Sequence, residues 1–141
     1  MLPVELELAA GLKALGFKKK ARTWMREDAS VFQLLNIQKS QFGEQMYVNV
    51  AVYLKALGPE TAPPERRCHI RARLERIAPK ELFEDIRTLD ASLPPLPGLL
   101  KALYEYAIPW LELVSNAEGR KAFFNSPEAS HCFINVKALT E

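Results

Sequence analysis

Between Val31 and Leu54 the chain reads VFQLLNIQKSQFGEQMYVNVAVYL, and its second half has a strict period of two. Met46, Val48, Val50, Val52 and Leu54 alternate with Tyr47, Asn49, Ala51 and Tyr53. Side chains return to one face every second residue on a strand but every 3.6 residues on a helix, so the pattern fits a half-buried strand and no helix. The first half is apolar at Val31, Phe32, Leu34 and Leu35, then alternates, with Ile37 set against Asn36 and Gln38. β-Branched and aromatic residues, which pack well on a pleated surface, are plentiful in both runs. Between them KSQFGE offers Gly43 where a turn can take positive φ. An antiparallel hairpin is expected, with the rest of the chain pairing with it or covering it.

The flanking segments supply both kinds of partner. Val4, Leu8, Leu12 and Leu15 recur at helical spacing from Pro3 onward, and Gly16 followed by Phe17 has the form of a Schellman stop. A basic segment then leads into Arg22–Glu27, which reads as a first strand, with Asp28-Ala29-Ser30 as a tight connection to Val31. Beyond Leu54, residues Lys55 to Glu65 hold three prolines and a glycine and form a loop, either a plain crossover or a functional segment. Cys68, Ile70, Ala72 and Leu74 alternate with His69, Arg71 and Arg73 as a fourth strand. After it the chain turns helical. A short helix is expected over Pro79–Leu89, and a longer one from Pro97, disturbed around Tyr106–Ile108 because Pro109 lacks an N–H and crowds the Glu105 carbonyl. A last helix is expected from Ser126, burying Ala129, Cys132, Phe133 and Val136. The fold class is therefore α+β: one domain over residues 1–141, a four-stranded antiparallel sheet with helices packed mainly on one face.

At 141 residues the chain can bury a core without disulfide or metal staples. Two cysteines are too few for a secreted disulfide scaffold, the first residues carry acids instead of a basic leader, and no apolar run reaches the ~20 residues that span a bilayer. A cytoplasmic protein with no membrane partner is the expectation. Net charge is only +2, but over half of the bases fall in two windows: Lys18, Lys19, Lys20, Arg22 and Arg26, and Arg66, Arg67, Arg71, Arg73 and Arg76. They are either solvated, edge-protecting charge or a footprint for an anionic partner.

Several short elements agree in order with a known family. They are Leu15-Gly16-Phe17-Lys18-Lys19-Lys20, Arg22-Thr23-Trp24, Asn36-Ile37-Gln38-Lys39-Ser40, Tyr47-Val48-Asn49-Val50, Cys68-His69-Ile70-Arg71 and Tyr106-Ala107-Ile108-Pro109-Trp110. Over roughly Leu6 to Trp110 the chain resembles the DUF4304 family of small, mostly bacterial domains of unknown function. The resemblance implies a single α+β domain, followed here by a helical C-terminal extension. It carries no activity, cofactor or catalytic set.

The polar sides of the strands hold the candidate chemistry. By parity one sheet surface displays Asn36, Gln38 and Ser40 from one strand, Tyr47 and Asn49 from the next, and His69, Arg71 and Arg73 from the fourth. Guanidinium forks and amide donors on one surface suit an anion, whether phosphate, carboxylate or nucleic-acid backbone. Trp24, if it shares that side, would add a stacking platform. The plain alternative is the wet side of an antiparallel sheet. Cys68-His69 and His131-Cys132 fit no zinc spacing, since neighbours on a strand point to opposite faces. Neither a nucleophile elbow nor a glycine-rich phosphate loop is present, and acid–base work by His69, with Glu75, is the one catalytic option. No cofactor, metal or catalytic residue is assigned. The expected function is a non-catalytic module binding a protein or small anionic ligand on its polar sheet face. The alternatives are a small enzyme or sensor for a phosphorylated or carboxylated metabolite and, more weakly, nucleic-acid binding through the basic windows.

Overall fold

In the computed structural model, which describes residues 1–140, the hairpin forms along its full length. Strand β3 (Val31–Lys39) runs antiparallel to β4 (Met46–Leu54), in register from Val31 opposite Leu54 to Lys39 opposite Met46. β2 (Thr23–Glu27) pairs with the far side of β3, and β5 (Ile70–Arg73) with the far side of β4. The connection at Asp28 is as tight as the sequence suggests: its Oδ1 accepts the N–H groups of Ser30 and Val31. The sheet continues one strand further at each edge, so it has six strands, in chain order, and not four.

Both additional strands lack the alternation that betrays a strand. β1 (Lys18–Lys20) consists of three exposed lysines held to β2 by backbone pairing, with the Lys19 ammonium 5.5 Å from the Trp24 ring centroid. Lys19 also reaches α1 (Pro3–Ala14), where it pairs with the buried Glu5 at 2.9 Å. Burial pushes the Glu5 carboxyl up, but Lys19 and the Leu2 N–H outweigh it and hold it below its ordinary range. At the other edge, the helix expected from Ser126 does not form. A 3₁₀ stretch (Pro127–His131) ends at Cys132, whose backbone is extended, and β6 (Phe133–Ile134) then pairs with β5. The pairing gives the outer side of β5 a ladder partner, with the Asn135 N–H donating to the His69 carbonyl at 2.8 Å. Of the apolar stripe expected there, Ala129 is buried, Cys132 is partly covered, and Phe133 and Val136 are exposed.

The two sheet faces are unlike. Val31, Leu35 and Ile37 of β3, Met46 to Val52 at alternate positions of β4, and Ile70 and Ala72 of β5 face the helices. There they meet Leu8 and Leu12 of α1, Ile86 of α2 (Phe83–Arg87), Leu99 of α3 (Pro97–Ala102), Leu111 of α4 (Ile108–Ser115) and Phe123 of α5 (Ala117–Phe124). A π turn over Leu103–Ala107 joins α3 to α4, so the strain that Pro109 imposes is absorbed as a wider turn just before it. On the outer face Phe32, Leu34, Ala51, Tyr53 and Cys68 form a second, smaller cluster with no helix residue in it. The proline-rich segment after Leu54 lies over this cluster, with Pro63 buried and the Glu60 N–H donating to the Tyr53 hydroxyl at 3.2 Å. One half of the outer face is thus sealed by a loop, and the other half is open.

Gly16 takes φ +91 and closes α1 as a Schellman stop, with Phe17 N–H to Leu12 O and Gly16 N–H to Lys13 O both at 3.0 Å. Gly43, by contrast, does not have positive φ, which corrects the turn expected there. The hairpin loop is held instead by Ser40 N–H to Gln45 O and by Phe42 N–H to Ser40 Oγ. Gly16→Ala should therefore cost about 1–2 kcal/mol in urea unfolding, because a Cβ at that φ is strained. Gly43→Ala, in open space, should change stability by less than about 0.5 kcal/mol.

Candidate functional site

The open half of the outer face is a ladder of amides. Register places Thr23, Asn36, Asn49 and Arg73 opposite one another on β2, β3, β4 and β5. They form one row straight across the sheet, spanning three strand spacings or about 14 Å. Asn36 donates to Thr23 Oγ1 at 2.8 Å, and Asn49 gives one Nδ2 hydrogen to Asn36 Oδ1 at 3.2 Å and the other to Gln38 Oε1 at 3.0 Å. Asn49 is buried, yet its amide is fully engaged on the donor side, as a buried polar group must be. The row is therefore rigid, with each side chain oriented by its neighbour.

Arginines stand around this row. The Arg73 guanidinium lies over the Tyr47 ring at 3.8 Å, and Arg71 lies near Phe133 at 5.3 Å while forking Glu65 through contacts of 2.9 and 3.2 Å. Stacking on a ring holds a guanidinium flat and leaves its N–H edge for an oxyanion. Two adjoining hollows cover the row. One, of about 340 Å³, includes Arg73, Arg76 and His131; the other, of about 730 Å³, includes Arg22, Lys39 and Arg66; Gln38, Glu65 and Arg71 line both. Six bases among the described residues thus line this groove against a single acid, Glu65. Among the described residues no carboxylate pairs with Arg22, Arg66, Arg73 or Arg76.

Of the residues expected on this surface, Asn36, Gln38, Tyr47, Asn49, Arg71 and Arg73 do come together. Ser40 lies at the end of the hairpin, its Oγ occupied by the Phe42 N–H. His69 does not face the groove. It is buried, its ring lies 4.5 Å from that of Tyr53, and its Nδ1 accepts the Leu54 N–H at 2.9 Å. That bond requires an unprotonated Nδ1, and burial, with Lys137 nearby, lowers the His69 pKa. Glu75 does not line the groove, so the acid–base pair considered from sequence is not assembled there. Trp24 is in the main core and offers no stacking platform. Cys68 and Cys132 are unpaired, and burial pushes their thiols up to about 12 and about 11, so both stay protonated at neutral pH. Among the described residues no group of three or more His, Cys, Asp or Glu side chains is placed to hold a metal ion.

Sequence reasoning missed Arg22, Arg66 and Arg76 as groove residues, though all three lie in the two basic windows. It missed Glu65 altogether, because that carboxylate arrives from the covering loop and no periodicity points to it.

A family model described as a domain of unknown function, DUF4304, matches residues 8–113. No curated protein matches the chain, and no solved structure does. The amide row and the groove arginines Arg22, Arg66, Arg71, Arg73 and Arg76 all lie within the matched residues, whereas His131 and Phe133 lie beyond them.

The His69 geometry fixes a pH response. Above about pH 6.5 the ring is neutral in both folded and unfolded chains, and its full contribution is present. Below that the unfolded chain takes up the proton first, so stability falls with pH until the lowered folded pKa is passed. His69→Ala should cost about 1–3 kcal/mol at pH 7.5 by leaving the Leu54 N–H unpaired. The gap between wild type and variant in urea titrations should narrow as pH drops from 6.5 to 5.

Proposed function

We propose a function from one premise: the chain belongs to the DUF4304 family, which is described only as a domain of unknown function. The reading is a non-catalytic binding module that takes an anionic ligand or partner on its outer sheet face. The observation that carries it is the ordered row of amides set among six bases with one carboxylate between them. The wet side of an antiparallel sheet ordinarily mixes both signs of charge, which favours solubility without favouring a ligand. Here four arginines keep their charge uncompensated and converge on a concave surface.

Catalysis has less support, because the one histidine considered for it has its Nδ1 committed to the backbone. Nucleic-acid binding also has less support, because two of the aromatic rings on the strands are not free for base stacking, which leaves Phe133 at the groove edge. Tyr47 is covered by Arg73, and Trp24 lies in the core. Among the described residues no helix is long and apolar enough to cross a membrane. A cytoplasmic setting belongs to the same reading and draws on the two unpaired cysteines.

Thermal unfolding in the presence of anions tests the reading. Poly-L-glutamate at saturating concentration should raise the melting temperature by several degrees, since a ligand at 100 times its Kd adds about 2.7 kcal/mol. The shift should shrink as NaCl is raised and disappear in the Arg22→Ala/Arg73→Ala double variant. An equal shift in that variant, or no shift with any of poly-L-glutamate, citrate or inorganic phosphate, contradicts it.

A further inference from the structure

The groove has a charge pattern of its own. Where the two hollows meet, the Arg71 fork is already filled by Glu65, so that charge is cancelled. At its ends no carboxylate among the described residues cancels it. Arg22 and Arg66 line the hollow that holds Thr23, the β2 end of the row, and Arg73 and Arg76 line the hollow that holds its β5 end. The ends of the row, Thr23 and Arg73, lie three strand spacings or about 14 Å apart, so a ligand that reaches both ends needs two anionic groups separated by about that width.

The floor between the poles is specific in a second way. Asn49 uses both Nδ2 hydrogens within the row and Gln38 uses its Oε1. Among the described residues, Asn49 Oδ1 and Gln38 Nε2 then have no partner. One acceptor and one donor group remain side by side. A peptide group matches them, bringing an N–H for the asparagine oxygen and a carbonyl for the glutamine amide. A phosphodiester link brings acceptors only and leaves Asn49 Oδ1 facing another oxygen.

Resting on the anion-binding reading above, we infer that the groove is a docking site for an extended segment of a partner protein with acidic side chains at positions i and i+4. An extended chain advances about 3.3–3.6 Å per residue, so four residues cover the gap between the two poles. Side chains at i and i+4 of an extended segment also point the same way, which lets both carboxylates reach arginine while the backbone lies on the amides. At i and i+3 the two carboxylates point to opposite sides and span only about 10 Å.

Fluorescence anisotropy on the full chain tests this with four labelled probes. Three are capped Ser/Thr peptides carrying glutamates at i and i+4, glutamates at i and i+3, or one glutamate; the fourth is an oligothymidylate with two phosphates. The i,i+4 peptide should bind about tenfold tighter than either other peptide and tighter than the oligonucleotide, tenfold being the weight of one added charge-assisted contact. Arg22→Ala and Arg73→Ala should each reduce the i,i+4 affinity to about that of the single-glutamate peptide. Equal affinity for the two spacings, or an oligonucleotide that binds as well, overturns the inference and leaves the general anion-binding reading standing. No binding of any probe overturns both.

Discussion

The structure depends on the register between β3 and β4. Side chains on a strand alternate faces, so a slip of one residue would carry Val48, Val50 and Val52 into water and Asn49 into the core. Burial of the helix-facing side sets that register, and the Asn36–Asn49–Gln38 amide contacts lock it from the opposite side. The same pairing that builds the core therefore aligns four polar residues from four strands into one row.

What covers the sheet decides what the row can do. Helices and the segments that join them cover the inner face, whereas the outer face receives the segment after Leu54 and, at its β5 edge, His131 and Phe133. The segment after Leu54 seals Phe32, Leu34, Ala51 and Tyr53 and goes no further. At its end it delivers Glu65 to Arg71, a partly buried pair whose attraction is less screened than that of an exposed one. Glu65 thereby neutralises one arginine and leaves the neighbouring ones uncompensated. An apolar half under a loop and a cationic half under solvent are consequences of where one proline-rich stretch stops.

The central hairpin, its neighbours, the α1 stop at Gly16 and the disturbance at Pro109 could all be read from periodicity and turn chemistry, because each rests on side chains that must be buried or on backbone that must bend. The two edge strands could not. Lys18–Lys20 have no apolar face to alternate, and Phe133–Ile134 is too short to show a period. At Ser126 a local helix-start signal lost to the demand of β5 for a ladder partner, which only tertiary structure reveals. The candidate surface was legible by parity at Asn36, Gln38, Tyr47, Asn49, Arg71 and Arg73. Parity put His69 on the outer side, where it lies just before β5, but could not tell that its ring packs on Tyr53 in the loop-sealed half and accepts the Leu54 N–H. It could not reach Glu65, Arg66 or Arg76, which come from irregular segments where no period holds.

The most direct measurement of the claim that the open outer face is the binding surface is side-chain amide NMR during titration with an acidic peptide. The Nδ2 resonances of Asn36 and Asn49 and the Nε2 resonance of Gln38 report on the row itself, and Gln33, whose amide is bonded to Ser115 on the helix side, serves as the internal control. Saturable shifts at Asn36, Asn49 and Gln38 with a silent Gln33 are the predicted result. Shifts confined to Gln33 and the helices, with the row unmoved, would contradict it.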